Sequence, residues 1–420
     1  MILSFSSNFW IVHLKVINVL LEECEMKVVI VPSGFKECLD AEEVALAMER
    51  GVRRVDPSIE METIPMIDGG EGFAKTIVRI KGGELIYKKV TGPVGKKINS
   101  HFGIFEEDGK RTAVIEMAAV SGLKLVPRNK RNPLKTTTYG VGELILAALD
   151  EGVDNILIGC GDSGTSDGGA GMAQALGVHF NDKEHRCVTI NGAEDLMKLN
   201  SIVTTNIDRR IHDVSINVAC NWKNILCGEK GVARVFGPQK GATPKQVERL
   251  SSSLEHYAAL IHEATGIDVC SLPGSGASGG LGAGLIAFTG AILHPRFDII
   301  MDYIQIEEKI STADIIFTAE GSLDFQTPNG KIPAEVARIA KKNNIPVIAI
   351  TGTIGKGADL NYHAGIDAYS SIIQKPTSLE KAIKKAPKWI EESMESVLRQ
   401  VSIGLRLAQK KDLKESVYLK

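Results

Sequence analysis

The run NILIGC, Asn155 to Cys160, empties into GDSGTSDGGAG before the helix-like MAQALG, so the stretch from Asn155 to Asp182 carries seven glycines and three aspartates. A buried strand that opens into a glycine loop and then a helix is the elementary step of layered α/β folds. Similar steps recur along the chain. KVVIVPSGF, from Lys27, is a β-branched run closed by Pro and Gly and reads as the first buried strand of a parallel sheet. AEEVALAMERGVRRV has helical periodicity, EMETIPM reads as a strand ending at Pro65 and Met66, and EGFAKTIVRIKGG reads as a helix stopped by Gly82 and Gly83. TAVIEMA, NILIGC and SINVAC are strand-like; DIIFTAEG, EVARIAKKNN and PVIAITG form a strand–helix–strand unit near the end.

The two clearest βαβ patterns lie at opposite ends of the sequence. This predicts a nucleotide-type domain assembled from both ends, residues 26–70 and 291–400, with a second α/β domain, 71–290, inserted between. With 420 residues, 44% of them hydrophobic and 24% charged, the chain has material for two domains. The segment 1–25 is apolar, but His13 and Lys15 interrupt it, and it lacks a basic start and a small-residue cleavage site. It reads as an extension outside the fold rather than a leader or a membrane span. Near the other end, TSLEKAIKKAPKWIEESMESVLRQ reads as an amphipathic helix interrupted by Pro387, and 401–420 as a solvated basic tail.

Composition removes whole classes of partner. Lys and Arg number 49 against 51 Asp and Glu, a net charge of −2, so no global field draws in nucleic acid or an anionic membrane. The seven cysteines are scattered without a C-x-x-C, which suits reduced thiols in a cytoplasm, and the nine histidines show no zinc spacing.

Gly159, Gly161 and Gly164 satisfy G-x-G-x-x-G after a strand, and Asp182 falls about where a ribose-binding acid would sit. A nicotinamide-dependent dehydrogenase is one reading of that pattern. Asp162 and Asp167 oppose it, because carboxylates inside a loop that faces pyrophosphate repel the ligand unless a cation stands between them. Mg²⁺ held by carboxylate and hydroxyl groups and shared with phosphate oxygens removes the conflict. The opposing reading is that the glycines serve close packing. Two further loops share the chemistry: PMIDGGEGF places Asp68, Gly69, Gly70, Glu71 and Gly72 at a helix start with free amides, and LPGSGASGGLGAG repeats glycines and hydroxyls. The latter contains G-x-S-x-G around Ser278, but no apolar strand leads into it as an esterase elbow requires. ITGTIGKG lacks the first glycine and the Ser/Thr of a Walker loop.

DGGEG (Asp68–Gly72), VIEMAAVSGL (Val114–Leu123), RNPLKTTTYGVGELI (Arg131–Ile145), SDGGAGMAQALG (Ser166–Gly177), GEKGVARVFGPQKGA (Gly228–Ala242), PGSGASGGLGAG and EGSLDFQTPNGK (Glu320–Lys331) occur in the order seen in the bacterial glycerate kinase family. Over about Met26 to Gln374 the chain resembles the ATP-dependent type of that family. The resemblance implies an α/β fold: a Rossmann-like parallel-sheet domain with a second α/β domain inserted into it, and an active site in the interdomain cleft. It implies ATP and Mg²⁺ as cofactors and phosphorylation of D-glycerate at the 2-hydroxyl, an organic acid phosphorylation by a cytoplasmic enzyme. The expected partner is a small hydroxy acid, with neither nucleic acid nor membrane, and a homodimer is the assembly considered.

Departures from the family pattern cluster at two points. Pro32-Ser33-Gly34-Phe35-Lys36-Glu37 stands for P-D-S-F-K-G, and Glu320-Gly321-Ser322-Leu323-Asp324 for E-G-R-x-D, so an acid and an arginine are absent together. That leaves open a related hydroxy acid as acceptor, or a catalytically silent binding module. The candidate catalytic groups are Asp68, Asp167 and Lys36, with Asp167 and Asp68 as the Mg²⁺ ligands. Glu71, Gly69, Gly70, Lys240, Glu320, Asp324 and Lys331 are candidate substrate contacts. Gly161, Ser163, Thr165, Ser166, Gly168, Gly169, Ser275, Gly276, Ser278 and Gly279 are candidate ATP or phosphate contacts.

Overall fold

The computed structural model describes residues 26–35, 38–67 and 69–418, with side chains to residue 410. The extension 1–25, Lys36 and Asp68 lie outside the described residues.

Chain order begins with β1 (Lys27–Pro32), α1 (Ala41–Val55), β2 (Glu60–Thr63) and α2 (Phe73–Lys81). Asp40 and Glu43 close a capping box at the start of α1, and Gly82, in the left-handed region, ends α2. An antiparallel meander follows: β3 (Glu84–Thr91), β4 (Lys97–Glu107) and β5 (Lys110–Glu116). Then come α3 (Tyr139–Asp150), β6 (Asn155–Gly159), α4 (Ala170–Ala175), the short pair β7 (His179–Asn181) and β8 (Ser201–Val203), and β9 (Ser215–Cys220). The long α5 (Pro244–Thr265), α6 (Ala277–Thr289) and β10 (Ile292–Pro295) lead to β11 (Ile315–Leu323), α7 (Ile332–Lys342), β12 (Val347–Ile354), β13 (Ala368–Ser371) and α8 (Leu379–Tyr418).

The fold is α/β with parallel sheets, as the strand–helix alternation predicts. Among the described residues, those up to Met66 and from Glu307 onward form one compact unit, and those of Ile67–Ile306 form the other. The first unit holds a five-stranded parallel sheet in the order β13-β12-β11-β1-β2, its centre built from the fully buried Val28, Ile30 and Phe317. The second holds a six-stranded sheet, β10-β9-β6-β5-β4-β3, parallel through β5 and antiparallel beyond it. Pro387 does not interrupt α8. It removes one backbone donor, while Ala386, Ile390, Met394 and Leu398 bury against Val44, Met48 and Val52 of α1, enough apolar contact to outweigh a cost of about 3 kcal/mol. The helix also runs on through the segment read as a tail, to Tyr418.

Candidate functional site

In the second unit the loop after β6 and the loop before α6 lie backbone against backbone. The Gly168 amide donates to the Gly279 carbonyl at 3.1 Å, and a Cβ on Gly279 would stand 2.0 Å from the Thr165 carbonyl oxygen. The density of glycine therefore serves close approach of two loops. Of the ten candidate phosphate contacts, only Gly161 and Ser163 escape burial; Thr165, Ser166, Gly168, Gly169, Ser275, Gly276, Ser278 and Gly279 are all buried. Ser278 has a left-handed backbone (φ 53°) inside the helical run of α6, not at the strand-to-helix turn of an esterase elbow.

Asp167 is fully buried at the centre of this packing. The Thr138 amide and hydroxyl donate to its Oδ2 at 2.7 and 2.9 Å, the Gly171 amide to the same oxygen at 3.3 Å, and the Gly169 amide to Oδ1 at 3.3 Å. Burial raises its pKa against the pull of those bonds. Where the sequence suggests an ion ligand, the structure shows a carboxylate whose two oxygens both accept from the protein. Lys240 is likewise buried, and its Nζ donates to Ser163 Oγ at 2.8 Å and the Thr165 carbonyl at 2.6 Å. Burial pulls its pKa down to about 7, with Asp167 opposing. This lysine fastens the loop from within.

A second cluster, in which Glu71 and Asp162 are exposed, surrounds Gly69–Gly72. The Glu71 amide donates to Asp162 Oδ2 at 3.1 Å, and a Cβ on Gly161 would lie 2.6 Å from Gly70 Cα. The Glu71 carboxylate pairs with Lys124. Glu116, at the end of β5 and 4% exposed, accepts from the amides of Gly72 and Ala74 at 3.0 and 3.2 Å. The amides expected to be free at this helix start are thus held by carboxylates. Sequence reasoning missed Glu116 and Lys124 as partners of this loop, although Glu116 lies within a quoted motif.

In the first unit the chain leaves β1 and returns at β11, so the strand order reverses between those neighbours, where open α/β sheets bind ligands. Ser33 is buried there, its hydroxyl placed 2.8 Å from the Ala319 carbonyl and 3.0 Å from Glu320 Oε2. Lys331 Nζ donates to the Ser322 carbonyl at 3.2 Å and lies 3.7 Å from Asp324 Oδ1. Glu320, Ser322, Asp324 and Lys331 are therefore gathered at the end of β11. Among the described residues no three His, Cys, Asp or Glu side chains converge as a metal cluster.

Polar loops gathered at the carboxyl ends of parallel strands in two α/β units define the class of protein. Within it, the glycerate kinase family profile matches residues 28–402. The chain is 45% identical over 370 residues to the glycerate kinase of Halalkalibacterium halodurans, covering 88% of this chain and 97% of that one. It is 43% identical over 383 residues to the glycerate 2-kinase of Escherichia coli K12, covering 91% and 100%. A solved chain from Salmonella typhimurium LT2, described as a candidate glycerate kinase 2, superposes with a TM-score of 0.78 at 43% identity, over 91% of this chain and all of that one. The chain belongs to the glycerate kinase family and is an enzyme, a glycerate kinase. This sets aside the dehydrogenase and the silent-module readings.

Proposed function

We propose that the enzyme transfers the γ-phosphoryl group of ATP to D-glycerate at its 2-hydroxyl, with Mg²⁺. The observation that carries the position of transfer is the 43% identity over the full length of the E. coli glycerate 2-kinase. The residues fit the ion: Glu71, Asp162 and Ser163, none of them buried, offer the hard oxygen donors that Mg²⁺ takes alongside water and phosphate oxygens. Glu71 and Asp162 would hold it together with Asp68, and when bound it would offset the charge on the phosphates. Lys124 adds a cation beside Glu71. Asp68 takes the proton of the acceptor hydroxyl, and Lys36 and Lys331 contact carboxylate or phosphate oxygens. Asp167 and Lys240 act on neither; they shape the loop between Gly161 and Gly171. A cytoplasmic location is proposed from the cysteines, which are free thiols among the described residues, and no described helix is long and apolar enough to cross a membrane.

The test supplies Mg-ATP and D-glycerate and couples the product to enolase alone. Direct dehydration of the product is expected, since 2-phosphoglycerate is the enolase substrate. A product that enolase ignores until a mutase is added moves the transfer to the 3-hydroxyl.

The acceptor is probed at Ser33 and Ser322. Ser33→Asp alone sets a second acid against Glu320 in a buried position and is expected to destabilise by about 1–3 kcal/mol. Ser322→Arg supplies the missing cation, and in the double variant the two are expected to couple by roughly 1 kcal/mol or more. Melting temperature and the KM for glycerate read the coupling. Strictly additive effects on both would show that the two positions do not form a pair.

A further inference from the structure

We propose that Glu116 is the positioning residue of the Gly69–Gly72 loop, holding it from the end of β5 through the amides of Gly72 and Ala74. The inference rests on the reading that this loop, with Asp68 and Glu71, handles the acceptor and the ion.

The helix α2 starts without a cap of its own. Its N-cap is Gly72 at φ 86°, no side chain caps it, and its first turn contains no acid. The donors of a helix start need partners, and its dipole favours negative charge. Both needs are met from another strand, one carboxylate oxygen to each amide. The loop also meets the end of β6, where a Cβ on Gly159 would stand 2.5 Å from the Phe73 ring and 2.8 Å from the Gly69 carbonyl. Glu116 and Gly159 are register partners on the adjacent strands β5 and β6, so the neighbouring ends of two central strands both contact the loop and the start of α2.

A positioning carboxylate in this setting has a pH signature. Burial pushes the Glu116 carboxyl up to about 7; the amides of Gly72 and Ala74 oppose the shift, Glu71 adds to it, and Lys75, which also faces His101, opposes it. Once protonated, the oxygen that carries the hydrogen is a much weaker acceptor, so one of the two amide bonds is weakened. Loop order thus rises with pH through about 7. Stability moves the other way. The folded pKa lies above the ordinary value of 4.5, so the folded state binds more protons across that window and this group's contribution falls as pH rises from 4.5 to about 7.

Glu116→Gln and Glu116→Asp separate the two effects. For the wild type, kcat/KM for glycerate is expected to fall about tenfold per pH unit below about 7. In Glu116→Gln that limb is expected to disappear, with kcat/KM at pH 8 lowered about 10- to 100-fold through misplacement of the loop, and the melting temperature is expected to fall because the glutamine NH₂ must face one of the two amides. Glu116→Asp is expected to keep the limb at intermediate activity. Amide hydrogen exchange over residues 69–81 gives a readout independent of turnover: at pH 8 Gly72 and Ala74 are expected to exchange at least about tenfold faster in Glu116→Gln. Unchanged exchange, or an unchanged acid limb in Glu116→Gln, overturns the proposal. Should that variant fail to fold, an aspartate variant with wild-type KM, pH profile and exchange overturns it equally. Faster exchange in an enzyme that never turns over glycerate would leave the positioning role standing and remove the reading of the reaction.

Discussion

Asp167→Asn is expected to lower the melting temperature on the order of 8 °C, and added Mg²⁺ is not expected to restore it. The wild-type carboxylate accepts from four donors, three of them on Oδ2. Asparagine retains one accepting oxygen, and its NH₂ group must face at least the Gly169 amide. Leaving a buried donor without a partner, and weakening the other bonds by removing charge, costs about 2–4 kcal/mol. For a unit of this size each kcal/mol is worth about 2–4 °C. Thr138→Val, which removes one hydroxyl donor and the acceptor for the Met172 amide, should give a smaller loss of about 1–2 kcal/mol. Calorimetry on both, with and without Mg²⁺, checks the claim. An Asp167→Asn protein that melts like the wild type, with weak turnover recovered by excess Mg²⁺, would return this residue to the ion.

The opposite pattern is expected at Asp68. Asp68→Asn should leave melting within about 1 °C and reduce phosphoryl transfer roughly 100-fold or more, the scale of losing one charged contact to the reacting groups. The argument comes from its neighbours. The amides of Glu71, Gly72 and Ala74 are committed to Asp162 and Glu116, and the Glu71 side chain pairs with Lys124 at the surface. Of the two acids of DGGEG, Glu71 is held in an ion pair, and the proposed proton acceptor is Asp68. Glu71→Gln should change stability little, because an exposed pair contributes about 0–1 kcal/mol, and should raise the Mg²⁺ concentration that turnover requires, since it removes a proposed ligand of the ion. Turnover against Mg²⁺ concentration, measured for both variants, ranks them. Near-normal transfer by Asp68→Asn would move the proton acceptor elsewhere.

Where a short local pattern decides the structure, the sequence was readable. The span of α1 follows from its apolar spacing and from Asp40 and Glu43; the end of α2 follows from Gly82. The central parallel strands β1, β6 and β11 announced themselves as apolar runs, since both of their faces are covered. The hairpin of β3 and β4 stayed hidden because β3 is an edge strand and only Val90 along it is fully buried. At the candidate site the limit is different. A glycine that receives a phosphate and a glycine that receives another backbone are the same letter, and only the space at Gly279 separates them. Glu116 escaped notice because its meaning depends on an uncapped helix start 44 residues earlier.

The strand order of the first unit also sets a timetable for synthesis. β1 sits between β2 and β11, and its neighbour on one side, at Val28, is Ile315. At about 5–20 residues per second, the ribosome needs roughly 12–48 s to translate the intervening Ile67–Ile306. Throughout that interval the nascent chain carries an apolar strand with one edge unpaired, while the second unit already has its whole sequence and can fold. Slowing elongation, or starving the cell of chaperones that shield such strands, should therefore deplete this enzyme through aggregation of its first 66 residues rather than through any weakness of the finished fold.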